Sequence, residues 1–315
     1  MFKKITIIGL LAFLILLFAA APASAHNAAL LVGNNITDAM EADYNNYLIK
    51  EGTSLPILLI AGHGFEYDFG NVSTPVNVTI VAPDGTKTNI TTQSASEEID
   101  KILSGEKVTV AYQKINYNFT QSGTYFLYAT LPGNTTEISK LAVFVGEGTW
   151  DDWNKQIGLP LEFTMYTRMG GLAEGETVYG KLIYENGTGA GNIKYYAEPV
   201  KTAAEAKELH DMIASEYATG ESIYLIYSKR AATDESGKFI SAIPEKGVWS
   251  FVAAADVNGT SYKATYTFPV LPQFYGTDEG PAAAETAGTD KETPGFSIVL
   301  AVLAVIGAVM FIRRK

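Results

Sequence analysis

The chain is apolar at both ends, and between them hydrophobic positions alternate with polar ones. Residues 5 to 20, ITIIGLLAFLILLFAA, form one unbroken apolar run, and Phe296 to Ile312 form another of 17 residues without a charge. The interior instead holds short runs rich in Val, Ile, Thr and Tyr. LPILLIA, VNVTIV, KVTVAYQ and GTYFLYAT lie in the first half. LEFTMYT, TVYGKLIYE, NIKYYAEP, SIYLIYSK, KFISAI, VWSFVAAA and SYKATYTFPV follow in the second. This composition marks strands, and turn chemistry such as APDGTK separates them. A spacing of about ten residues suits antiparallel sandwiches. One segment departs from it: TAAEAKELHDMIASEY, from Thr202, carries Ala and Leu at helical spacing, which predicts a helical insertion near residues 202–217.

The two halves resemble each other. EGTSLPILLI at Glu51 aligns with EGETVYGKLI at Glu174, an offset of 123. SGTYFLYA around Gly123 aligns with KGVWSFVA around Gly247, an offset of 124. Two matches at nearly one offset point to a duplicated unit. The pattern therefore predicts an all-β fold of two tandem immunoglobulin-like antiparallel sandwiches. They span residues 26–148 and 158–272, with the boundary near GEGTWDDWNKQIGLP.

The apolar ends set the topology. Lys3 and Lys4 precede the first run, and Ala23-Ser24-Ala25 follows it with the small-x-small pattern of a cleavage site, so residues 1–25 read as a signal peptide. The second run is long enough to cross a bilayer as a transmembrane helix, and Arg313, Arg314 and Lys315 close it with the positive charge that stays cytoplasmic. The body is thus expected outside the membrane. Residues 273–293, rich in Ala, Thr, Gly, Pro and acid, read as a flexible stalk.

Composition narrows the function classes. There is no cysteine, so disulfides, thiol nucleophiles and cysteine metal clusters are excluded. Between the apolar ends lie all 34 acids and 18 of the 23 bases, a net charge of −16, which argues against nucleic acid or anionic lipid as a partner. Eight Asn-x-Ser/Thr sequons, at Asn35, Asn71, Asn77, Asn89, Asn118, Asn134, Asn186 and Asn258, suggest a surface carrying glycans. No Gly-rich phosphate loop, no His-Glu-x-x-His and no Gly-x-Ser-x-Gly occurs, so no catalytic residue is assigned and an enzyme is not expected.

The candidate chemistry lies with the histidines, of which there are three. Cleavage after Ala25 makes His26 the first residue of the mature chain. Its free α-amine, with a reference pKa near ~8, and its imidazole Nδ1 can then close a chelate ring on one metal ion. His63 sits in the loop AGHGFEYDFG with Glu66 and Asp68, where the sister repeat has only the plain turn YENGTGAG. His26, His63, Glu66 and Asp68 are the candidate metal ligands. A nitrogen-rich set favours Cu(II) and Ni(II), then Zn and Co, over Mg or Ca. His210, on the predicted helix beside Asp211, reads as a surface histidine.

Two resemblances extend this reading. AHNAALLV and GHGFEYD, with SGTYFLYATLPG and the segment from GLAEGETVYG to TYTF, resemble a secreted nickel-uptake accessory family. Its members pair two sandwich domains and accompany cobalt and nickel transporters of the energy-coupling-factor type. The resemblance runs from His26 to about Pro269 and implies a nickel or cobalt ion as cargo and such a transporter as partner. Some relatives carry further histidines near the N-terminus, and this chain has none between His26 and His63. The second resemblance covers residues 294–315. Pro294-Gly295-Phe296, span and basic tail resemble the archaeal PGF-type sorting signal, which implies an archaeosortase-like processing enzyme and a lipid in place of the helix. A glycosylated structural or adhesive surface protein is the alternative that tandem sandwiches, glycans and an anchor alone would satisfy.

Overall fold

The computed structural model describes residues 26–63, 67–102, 104–146, 152–216 and 229–273. The expected signal peptide, stalk and C-terminal span lie outside these residues, as does Glu66. In chain order the first half holds β1 (Asn27–Val32), α1 (Ile36–Glu41), β2 (Leu48–Ile49), β3 (Thr53–His63), β4 (Asp68–Gly70), β5 (Asn77–Val81), β6 (Lys87–Thr91), β7 (Gln93–Asp100), β8 (Lys107–Phe119), β9 (Gly123–Leu131) and β10 (Thr136–Val145). The second holds β11 (Leu161–Met165), β12 (Thr177–Tyr184), β13 (Lys194–Pro199), α2 (Ala203–Glu216), β14 (Lys229–Ala232), β15 (Lys238–Ala242), β16 (Gly247–Val257) and β17 (Thr260–Val270). The chain is all-β in character, with α2 where the Ala- and Leu-rich segment predicts a helix.

Local chemistry explains the hairpins. β16 and β17 meet at Asn258-Gly259, with φ of 51° and 81°, the backbone of a tight primed turn whose twist matches the strands it joins. Gly123 and Gly247, aligned in the repeat, open β9 and β16 with φ of 134° and 125°, a region that L side chains rarely adopt.

The two halves are built on one sheet. β10 and β17 pair in parallel, from Thr136 opposite Tyr262 to Leu141 opposite Thr267. This joins the strands of both halves into a nine-stranded sheet ordered β14-β13-β16-β17-β10-β9-β5-β6, with β2 continuing the β10 edge at Phe144 and Val145. A five-stranded sheet, β1-β3-β8-β7 with β4 paired to β3, packs with the first half. A three-stranded sheet, β11-β12-β15, packs with the second.

These two smaller sheets lie on opposite faces of the large one. Successive side chains of a strand point to opposite faces. On β10, Leu141, Val143 and Val145 join the core that includes β1 and β3, while Ala142 and Phe144 join the core that includes β11 and β12. β10 is consequently buried on both sides over most of its length. On β13, β16 and β17 the aromatic face, with Tyr195, Phe251, Tyr266 and Phe268, belongs to the second core. The opposite face is polar, and it is also buried: Glu198, Ser250, Thr265 and Thr267 are all less than 6% exposed. The edge of β1 covers it.

Candidate functional site

The site grows from the register of β1 on β3. Asn27 stands opposite Gly62 in an antiparallel pair. Continuing that register by one residue sets His26 opposite His63. On the other edge of β3, β4 places Asp68 opposite His63. Three of the four predicted ligands therefore meet at the end of one strand, although the chain between His26 and Asp68 passes through a helix, a short 3-10 segment and the turn at Glu51-Gly52. Glu66 lies outside the described residues.

The contacts are close. His26 Nε2 is 3.0 Å from Asp68 Oδ2. The His26 and His63 rings have centroids 6.0 Å apart and planes inclined at 60°. The His26 ring lies over Gly70, where an added Cβ would stand 2.7 Å from Nδ1, so this glycine leaves the room that the imidazole occupies. His26 and Asp68 are partly open to solvent, whereas the His63 side chain is 5% exposed.

The segment His26 to Ala28 is held by charged groups of both halves. Lys263 on β17 donates from Nζ to the His26 carbonyl at 2.9 Å. The Ala28 amide donates to Glu137 Oε2 on β10 at 2.7 Å. Lys263 and Glu137 are themselves 3.7 Å apart. An ionised partner makes such hydrogen bonds stronger than neutral ones. His26 thus leads directly into a strand that is held in place.

Behind His63 lies a buried polar group that the sequence pattern did not reveal. Glu198, on β13, places Oε2 3.6 Å from His63 Nδ1. Its Oε1 accepts from Asn27 Nδ2 at 3.2 Å. That amide nitrogen is also 3.4 Å from His63 Nδ1, and Asn27 Oδ1 accepts from the Tyr196 hydroxyl at 3.0 Å. In sequence, Glu198 is one acid in an alternating strand and reads as solvent-facing. Its signal is tertiary: the polar face of β13 is covered by β1. His210 is elsewhere, on α2, where burial lowers its pKa and the nearby Asp211 opposes that shift.

Two imidazoles on one ion, each with a metal–nitrogen bond of ~2.0–2.1 Å, hold their ring centroids roughly 5–6 Å apart. The pair His26–His63 is near that span, with the Asp68 carboxylate at His26 Nε2. Among the described residues no group of three or more His, Asp or Glu side chains is drawn together as tightly as a completed metal site requires. The arrangement is two histidines with one carboxylate beside them.

Solved structures to which the chain aligns include α2-macroglobulin of Salmonella reacted with methylamine, at 13% identity over 81% of this chain and a TM-score of 0.24. Elastase-activated α2-macroglobulin of Escherichia coli aligns at 11% identity over 78% and a TM-score of 0.23. The chain spans 15% and 20% of the lengths of these two proteins. A cell-surface retention region of a bacterial ice-binding adhesin aligns at 8% identity over 78% of this chain and 64% of that one, with a TM-score of 0.22. No curated protein matches. One family model matches more than half of the chain, over residues 40–256, a stretch that holds His63, Asp68 and Glu198 and begins after His26. The chain accordingly belongs to the family described as a domain of unknown function, DUF4198.

Proposed function

We propose that this protein is a cell-surface accessory that holds a late first-row divalent ion, nickel or cobalt foremost, and presents it to an uptake transporter in the same membrane. The observation that carries the reading is the meeting of His26, His63 and Asp68 at the end of β3. The His26 imidazole and the His63 ring would hold the ion, with the mature α-amine and His26 Nδ1 closing a chelate, while Asp68, which faces His26 Nε2, would orient that ring. Such nitrogen donors suit nickel, cobalt, copper and zinc better than magnesium or calcium. The acidic body raises the local concentration of cations. The resemblance of AHNAALLV and GHGFEYD to the nickel-uptake accessory family supports nickel or cobalt, and a transporter of that kind as partner. The protein carries its ion and converts nothing.

Calorimetric titration with Ni(II), Co(II) and Cu(II) tests this on a body whose first residue is His26. Binding should weaken when one residue is added before His26, and in His63→Ala, but not in His210→Ala. It should also fall as pH drops, because protons compete for the same lone pairs. Equal affinity in all four proteins would remove the site. The better reading would then be a structural or adhesive surface protein, which one observation favours: seven of the eight sequon asparagines are exposed, and Asn35 is half-buried. The PGF-type signal supports anchoring by a lipid that replaces the C-terminal helix. Mass analysis of the native protein would refute that by finding Arg313 to Lys315 still attached.

A further inference from the structure

The two nitrogens of a neutral imidazole differ: one carries the proton and the other offers its lone pair. Which does which is decided by the group facing each nitrogen. Among the described residues, His63 Nδ1 faces the Asn27 amide nitrogen at 3.4 Å and Glu198 Oε2 at 3.6 Å. They make opposite demands. The amide can only donate to Nδ1. The carboxylate can only accept from it.

Energetics favour the carboxylate. Glu198 Oε2 is buried, and among the described residues no donor stands within hydrogen-bond distance of it. A buried carboxylate oxygen left without a donor is costly, and a lone pair on Nδ1 turned toward it would add repulsion. The Asn27 amide already gives one proton to Glu198 Oε1. Leaving its other proton poorly placed costs less, because that group is neutral. A closure of about a fifth of the His63–Glu198 separation would complete a charge-assisted bond.

We infer that Glu198, from the second half of the chain, is the positioning residue of His63: its Oε2 accepts the Nδ1 proton, which fixes the ring orientation and leaves the lone pair on Nε2. A carboxylate, a histidine and a metal in that order form a recurrent arrangement in which the outer carboxylate raises the basicity of the ligand. As a statement about metal binding this rests on the function proposed above, while the tautomer it requires can be observed without metal. The inference also gives the second half of the chain a part in a site whose ligands all lie in the first.

Long-range nitrogen–proton NMR of the metal-free body, labelled at histidine, reads the tautomer directly. His63 should carry its proton on Nδ1, and Glu198→Gln, whose amide can donate, should move it to Nε2. In parallel titrations with Ni(II) or Co(II) alone, Glu198→Gln should bind ~10–100-fold more weakly. Glu198→Asp, one methylene shorter, should fall between the two. A wild-type His63 protonated on Nε2 overturns the inference. That outcome would arise if the cavity of about 10 Å³ beside Glu198 holds a water that serves the carboxylate in place of His63. Equal metal affinity in wild type and Glu198→Gln overturns it too and leaves the proposed function standing. The expected tautomer in a wild-type protein that binds neither metal overturns the metal reading, and Glu198 then only orients a buried histidine.

Discussion

Lys140 Nζ lies 2.7 Å from Glu162 Oε1, and both side chains are almost wholly buried where the two halves meet. Lys140 is on β10 and Glu162 is on β11. The carboxylate is held further by the backbone amides of Ile157 and Gly158, each at 3.0 Å. The ammonium sits 4.5 Å from the Phe126 ring centroid and 5.2 Å from that of Tyr266. Burial pushes the Lys140 pKa down, and the Coulomb attraction and hydrogen bond of Glu162 push it back.

The first prediction follows from this pair. Removing one partner leaves the other charge buried and unpaired, which costs about 3–5 kcal/mol. Lys140→Met should therefore lower stability by that order in denaturant titrations, and Lys140→Met with Glu162→Gln should recover much of it. Equal losses in the single and double variants would mean that the pair contributes only shape.

The second concerns alkaline stability. Burial is the main cause raising the pKa of both Tyr47 and Tyr266; Glu162 adds repulsion at Tyr266, and a backbone hydrogen bond from Val32 opposes the rise at Tyr47. A phenol whose folded pKa lies above its unfolded value contributes stability that is complete below the unfolded value. It is lost as pH rises beyond that value, because only the unfolded chain then releases the proton. Denaturation midpoints should fall above about pH 10, the unperturbed tyrosine value. The Tyr266 hydroxyl is buried and, among the described residues, has no hydrogen-bond partner. Tyr266→Phe should accordingly gain about 1 kcal/mol at neutral pH and flatten the alkaline loss. A destabilised Tyr266→Phe would sink this account.

The third tests the cradle. Gly70→Ala would put a methyl 2.7 Å from His26 Nδ1. The ring must move, and overpacking of this kind costs about 1–3 kcal/mol. Ni(II) affinity should drop about tenfold or more, with secondary structure unchanged by circular dichroism. Unaltered affinity would show that the ion does not need His26 where it lies.

The fourth tests how the segment from His26 to Ala28 is held. Glu137→Gln keeps the size of the acceptor for the Ala28 amide and removes its charge, and Lys263→Met removes the donor to the His26 carbonyl. Hydrogen bonds to charged groups contribute about 1.5–3 kcal/mol. Amide exchange at Ala28 and Ala29 should accelerate in both variants while β16 stays protected. Unchanged exchange would mean that pairing with β3 alone fixes the strand.

Much of the fold was legible because two of its signals are local. Val-, Tyr- and Thr-rich runs with Asp84-Gly85 or Asn258-Gly259 between them specify hairpins through propensity and turn geometry, and Ala203–Glu216 carries helix formers at helical spacing. His26, His63 and Asp68 were also legible, from a cleavage pattern and a loop without counterpart in the sister repeat. Glu198, Glu137, Lys263 and Gly70 were not. Each acts on a residue more than forty positions away, and each occupies an alternating strand or a turn where a polar or small residue needs no special reason. The polar face of β13, β16 and β17 reads as a solvent face by period alone. It is buried because β10 and β17 pair in parallel and bring β1 over it, a register that no local pattern encodes.

That parallel pair also fixes an order of events. β17 is the last of the described strands, and its place is in the middle of the large sheet, between β16 and β10. While the chain emerges from a ribosome or a translocation pore, β10 waits with its N-terminal edge unpaired for more than a hundred residues. An open strand edge is a template for any other extended chain. Closing it depends on a contact between distant segments, the slow kind of step in folding. The first half can collapse early, but until Thr260–Val270 arrives it offers passing chains the same edge that β17 will occupy.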